Sequence, residues 1–372
     1  PPRLLRRQRQ MCIRDSTDTI TVEVPAETPI LLPGGNVWIL ELFNNAGDTL
    51  IGGGATLTGA VSEPGISHNA MLVGSSDLTI TGFEFEGMTS AISVESAGRQ
   101  LDNVAIVGNT FRNTAVRDIS LLNSLSGGSL SGVRVTGNTF DAPERISDLR
   151  AFVTVRGGEG LGEQATDDTV NENLAIVDNT MSAPGGSVAV CISIAGGHVS
   201  TGQPGQVTGA SVTGVDLSGN SISGCTTAVD ITGGLVEQTN GSVTGSSVTD
   251  VSIVGSTLNV GSTAIQIHGG RVAPAPPSFG VSGPTAATVD GNSVEGVAID
   301  TSVLSAFTVG LRLIGGAFDV DGNGSAAANQ VNDVAGTSLT SDGLGTVCVA
   351  TVDVGAAAAD NVVGASCVAL SG

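Results

Sequence analysis

The sequence predicts an all-β solenoid, a stack of parallel coils with three short strands in each. One phrase recurs along it: residues 104–111 return at 133–140, 174–181 and 215–222, with weaker copies at 78–85, 251–258 and 288–294. Each copy alternates apolar and other residues, breaks at Gly-Asn or an equivalent pair, and resumes with an apolar residue. That is the pattern of strand, tight turn and strand. A second phrase, alternating and closed by Gly-Gly, follows at 152–158, 190–197, 228–234, 264–270 and 310–316. Coil length varies while the strands keep their length, because the extra residues fall after Gly-Gly in Ser, Thr, Gly and Pro-rich stretches (197–213, 234–249, 270–288). Such a chain is a constant wall carrying loops from fixed corners.

The elements follow in order. Residues 1–16 hold five of the fourteen Arg and read as a non-native tract, alien to the acidic chain that follows. Residues 17–50, interrupted by Pro25, Pro29 and Pro33 and carrying the single Trp38, suit an N-terminal cap over the open end of a solenoid. The β-helix is expected over 51–372, with irregular last coils from about residue 326. Because no coil buries its own apolar residues, Phe85, Phe111, Phe140, Met181, Ile222, Leu258 and Val294 are expected to stack in one inward column. Asn109, Asn138, Asn179, Asn220 and Asn292 are expected to form a second, exchanging amide hydrogen bonds across a left-handed turn, with Ser256 its weakest rung.

Composition narrows the partners. The formal charge of −21 opposes nucleic acid and anionic membrane surfaces, and no run of about 18 apolar residues suggests a membrane span. The matching phrases around Cys348 and Cys367, one short coil apart, suggest a disulfide, which would suit an exported protein. Cys191, inside a strand, and Cys225, just before one, differ in register and are expected to be buried thiols.

Three strands per coil, an Asn at one turn in coil after coil, and loops growing from fixed corners resemble the pectin-lyase-like superfamily of right-handed, single-stranded parallel β-helices over residues 50–325. The resemblance implies a secreted or cell-surface protein. That architecture serves lyases and hydrolases as well as adhesins and surface stalks, so activity is read from the site. In the family's enzymes the sheet corresponding to the Gly-Gly strands floors the substrate cleft. Its outward residues here are Thr154, Ser193, Asp230, Gln266 and Arg312, and beside them Arg156, Ala195, Thr232, His268 and Ile314. From these, Asp230 and His268 are the expected acid–base pair, with Asp230 accepting a bond from His268 and raising the imidazole pKa. Arg156, Gln266, Arg271 and Arg312 are the expected substrate-binding groups. The plainer alternative is a solvated sheet face. The Asn-Thr-Asp, Gly-His-Gly and Arg-x-Lys strings of the polygalacturonase-like enzymes do not occur, and His68 and His198 stand isolated.

No cofactor is expected. One motif suggests calcium: residues 319–324 match the first half of a calcium loop, although its twelfth position is Gln330 and the same stretch aligns with the strand–turn phrase, which would place Asn323 in the Asn column. The reading is therefore a secreted or surface β-helix, monomeric or surface-anchored. It acts as scaffold, adhesin or polysaccharide-binding wall, with a polysaccharide lyase or glycoside hydrolase as the alternative.

Overall fold

A computed structural model describes residues 37–364, except 44–48, 55, 59–67, 115, 143–150, 161–164, 185–187, 201–204, 238–239, 275–285, 301, 306–307, 320–323, 338–339, 342–345 and 356–357. The described elements are all strands, and strands of successive coils pair in parallel, making a parallel β-helix. A ten-stranded sheet carries the Gly-Gly phrase, a thirteen-stranded sheet the Val-x-Ile strand, and a nine-stranded sheet the short strand after the Asn turn. From Ala165 onward a fourth, six-stranded sheet of short strands is added between the first two. Coil pairing begins at Val37, inside the segment expected to cap the stack, and continues to Val363, into the expected irregular end. Residues 1–36 lie outside the described residues.

Between the first three sheets runs the main apolar core. Phe85, Phe111 and Phe140 stack with nearly parallel rings, their centroids 5.0 and 4.8 Å apart. Met181, Ile222 and Leu258 continue the column, but its next member is Leu304, not Val294. Val294 pairs with Val248 in the thirteen-stranded sheet. The reason is the fourth sheet: its strand Thr288–Asp290 also ends in a Gly-Asn turn and imitates the phrase.

The same displacement divides the asparagines into two ladders. In the first, the amides of Asn109, Asn138 and Asn179 each donate to the side-chain carbonyl of the Asn one coil on, at 2.9 to 3.0 Å. Asn220 N–H instead donates to Ser256 Oγ at 3.2 Å, and Ser256 Oγ donates to Leu217 O at 2.9 Å. Asn292 belongs to a second ladder at the other corner, where Asn292 N–H donates to Asn329 Oδ1 and Asn329 N–H to Asn361 Oδ1. Asn323 lies outside the described residues. Nor is Asn the left-handed residue in either turn. That conformation falls one position earlier, at Gly108, Gly137, Asp178 and Gly219, leaving the Asn amide to bridge coils.

Asn179→Ala should therefore cost about 2 to 4 kcal/mol. Asn179 accepts from Asn138 N and Nδ2 and donates to Val135 O and Asn220 Oδ1, all buried groups that alanine would strand. Ser256→Asn should be neutral or stabilising. Equal denaturant midpoints for the two variants would refute the ladder's role.

The cysteines depart from expectation. Cys191 and Cys225 form a disulfide, with Cα atoms 5.9 Å apart. The ladder pairs Val190 with Thr227 and Ile192 with Val229, so Cys225 occupies the corner just outside it. Both residues are fully buried, and a corner side chain turned inward meets a strand residue of the neighbouring coil despite the mismatch in phrase position. Cys348 is also disulfide-bonded. Cys367 lies outside the described residues.

Candidate functional site

The Gly-Gly strands run on past their glycines, as in Ala151–Gly160, Val190–Val199, Thr227–Glu237, Thr263–Ala273 and Val309–Phe318. Their far arms pack Val199, Val236, Val272 and Phe318 against Val207, Val243, Val289 and Ala326 of the fourth sheet in a small second core. At the first glycine of each pair the chain passes so close to the next coil that a Cβ on Gly315 would lie 2.6 Å from Val352 O, and one on Gly196 2.5 Å from Gly233 O. These two packing demands fix where the strand turns.

The outward columns hold their expected register. Thr154, Ser193, Asp230, Gln266 and Arg312 are neighbours in successive coils, as are Arg156, Ala195, Thr232, His268 and Ile314. The face is not solvated throughout: Gln266 and Arg312 are half-buried. Arg156, Asp230, Thr232 and His268 are all buried, none more than 6 % exposed.

Asp230 and His268 do not bond. Asp230 lies 3.8 Å from Arg271 Nη1, while Oδ1 of Asp230 and both ring nitrogens of His268 have no hydrogen-bond partner. Burial pushes the Asp230 carboxyl up, against the opposing pull of Arg271 and Arg156. Burial, then Arg271 and Arg312, hold His268 well below the usual imidazole range, the reverse of the expected shift. His268 is thus held toward the neutral ring, and Asp230 is shifted toward its protonated form.

Arg271, on the far arm, meets the near arm across a pocket of about 200 Å³. Gln266, His268, Arg312, Ile314 and Asp319 line it with Arg271. Arg271 Nε donates to Asp319 Oδ2 at 3.0 Å, which sets that aspartate against a guanidinium; residues 320–323, the rest of the half calcium loop, lie outside the described residues. Among the described residues Arg312 makes no ion pair. Arg156 is not in this pocket: it donates from Nη1 to Ser193 O and from Nη2 to Ser193 Oγ, and burial lowers its pKa to about 10.

Sequence reasoning missed a second cluster on the far arm. His198 Nδ1 bonds Glu159 Oε2 at 2.6 Å, both side chains buried, and Glu237 Oε1 stands 3.8 Å from His198 Nε2. Burial raises the Glu159 carboxyl, but His198, Arg117 and Arg156 outweigh it, so its pKa falls below the ordinary value. The signal was present: Glu159 and His198 each directly follow a Gly-Gly pair, so once the strand is extended past the glycines they must face each other.

No family model matches the chain, and no curated protein does. Among solved structures it is similar to an endo-xylogalacturonan hydrolase from Aspergillus tubingensis at 11 % identity and a TM-score of 0.43, over 91 % of this chain and 92 % of that one. It is similar also to the A-module of the mannuronan C-5 epimerase AlgE6 from Azotobacter vinelandii at 10 % identity and a TM-score of 0.28, over 88 % and 90 %. By its own strand order the chain is a parallel β-helix, the architecture of the pectin-lyase-like proteins that its repeat resembles.

Proposed function

We propose that the protein is an exported β-helix that binds polysaccharide on its Gly-Gly sheet, holding an acidic sugar unit in the pocket between Arg271 and Arg312. The observation that carries this reading is Arg312, a guanidinium without an ion pair among the described residues, facing the unpartnered ring of His268 in a chain of net charge −21. A planar guanidinium is suited to a carboxylate, and Gln266 and a neutral imidazole supply the donors and acceptors that sugar hydroxyls need. The pocket is the size of a single sugar unit, which favours recognition of one residue of a chain. The Cys191–Cys225 disulfide supports an oxidising compartment and hence export.

Hydrolysis is the second reading, favoured by the Asp230 carboxyl that burial keeps toward its protonated form, as a general acid requires. Titration with uronic-acid oligosaccharides, with a reducing-end assay on the same samples, tests both. Arg312→Ala should weaken binding at least about tenfold, the loss of one charge-assisted contact. New reducing ends that vanish in Asp230→Asn would establish the enzyme. An unchanged affinity in Arg312→Ala would remove the pocket from consideration.

A further inference from the structure

His268 is 2 % exposed, lines the pocket, and bonds through neither ring nitrogen. The groups facing it explain why it carries no charge. Arg271 faces it from the far arm of its own strand and Arg312 from the following coil, both positive. The two nearby carboxylates, Asp319 and Asp230, are directed to Arg271 at 3.0 and 3.8 Å. Its register neighbours, Thr232 on one side and Ile314 on the other, do not ionise. Burial and two guanidinium groups therefore favour the neutral ring.

An anion seated between Arg271 and Arg312 reverses the field at that ring, because an opposite charge within about 4 to 6 Å favours the protonated form. It also gives an imidazolium N–H an acceptor. We propose that the pocket captures its anion together with a proton, taken from solvent and held on His268, so that affinity rises as the medium becomes more acidic. The inference rests on the anion-pocket reading above and adds to it a condition under which the protein grips or releases its ligand. By linkage, one proton taken up per anion bound gives up to about tenfold tighter binding for each pH unit below the bound-state pKa. The competing acceptor is Asp230, whose protonation would free Arg271 from one of its carboxylates.

Calorimetric titration of the full chain with sulfate, which stays ionised, and with glucuronate tests this between about pH 5 and about pH 8, the window of an imidazole switch. Each pH is run in buffers of different ionisation enthalpy, so that proton uptake is read directly. The expected result is uptake approaching one proton per anion, lost in His268→Gln and retained in Asp230→Asn. The chain has three His, so imidazole resonances of the unaltered protein report the same event without a substitution: sulfate should move the His268 titration to higher pH. Sulfate binding without proton uptake would overturn the coupling and leave the pocket standing. Uptake that persists in His268→Gln and disappears in Asp230→Asn would overturn it in favour of the carboxyl. Absence of binding by either anion at every pH would overturn the pocket reading and the coupling with it.

Discussion

Gly233→Ala is expected to remove more than about 4 kcal/mol of stability, a loss reserved for changes that a packed interior cannot absorb. The added methyl would overlap Gly269 O of the next coil and stand 2.7 and 2.8 Å from Ser293 O and N. All three atoms are backbone, fixed by the parallel ladders of two sheets, so no side chain can swing away. The contrast is Gly137, left-handed at a φ of 64° with nothing near its missing Cβ. One coil on, Asp178 takes the same conformation at 55°. Gly137→Asn should therefore stay within about 1 kcal/mol, since Asn enters the left-handed region readily. Urea denaturation of both variants is the measurement, and similar midpoint shifts would mean that the Gly-Gly column is not set by contact between coils. The same column decides whether a site exists, because only an uninterrupted stack of bent strands brings Arg271 across to Gln266 and His268.

What was legible in the chain follows the range of the forces involved. Period-two alternation and a Gly or Asp before each Asn are local, and they placed the Phe85 to Leu258 column and the first Asn ladder as far as its Ser256 rung. They failed at residues 288–294, where a strand of the fourth sheet ends in the same Gly-Asn turn. Both turns obey one local rule, and only the closure of the coil tells which corner each occupies. There Ser302, with Oγ donating to Ile253 O, takes the place in the first ladder that was assigned to Asn292. The Gly-Gly pair was read as the end of a strand because the stretches of variable length fall after it. It marks a bend instead, so Glu159 and His198 were separated on paper and Asp230 was given a partner in His268 that Arg271 supplies. The ladder register of the outward columns was legible from the phrase; the burial of Arg156, Asp230, Thr232 and His268 within them was not, since nothing in a strand's own pattern shows which outward side chains are covered.

Stability should peak on the acidic side of neutral, because of a carboxyl inside the core. Asp118 is 1 % exposed in the strand Arg117–Leu122, and its positional counterparts in the adjoining coils are Ala91 and Phe152, both buried. Burial drives its pKa up to about 7, against a smaller opposing influence of the nearby Thr114 hydroxyl. In the unfolded chain the same group titrates near 3.9, so between these values the folded protein holds a proton that the unfolded one has released. The contribution is fully present below about pH 3.9 and is lost as pH rises through about 7, roughly 4 kcal/mol in all at 1.36 kcal/mol per pKa unit. Asp230, also raised by burial, acts in the same direction. Glu159 acts in the opposite one. Its pKa is lowered in the fold, so its contribution is present above the unfolded value of about 4.3 and fails as pH falls through the folded one. His268 opposes Asp118 too: its folded pKa is depressed, so its contribution is present above the unfolded imidazole value of about 6.5 and fails as pH falls below that. Unfolding free energies should therefore fall from about pH 6.5 to about pH 7.5, and Asp118→Asn, which keeps the shape, should flatten that slope and stabilise the protein most at the upper end. A flat profile in the unaltered protein, or an Asp118→Asn variant that follows the same slope, would place the charge of Asp118 in contact with water and remove it from the core.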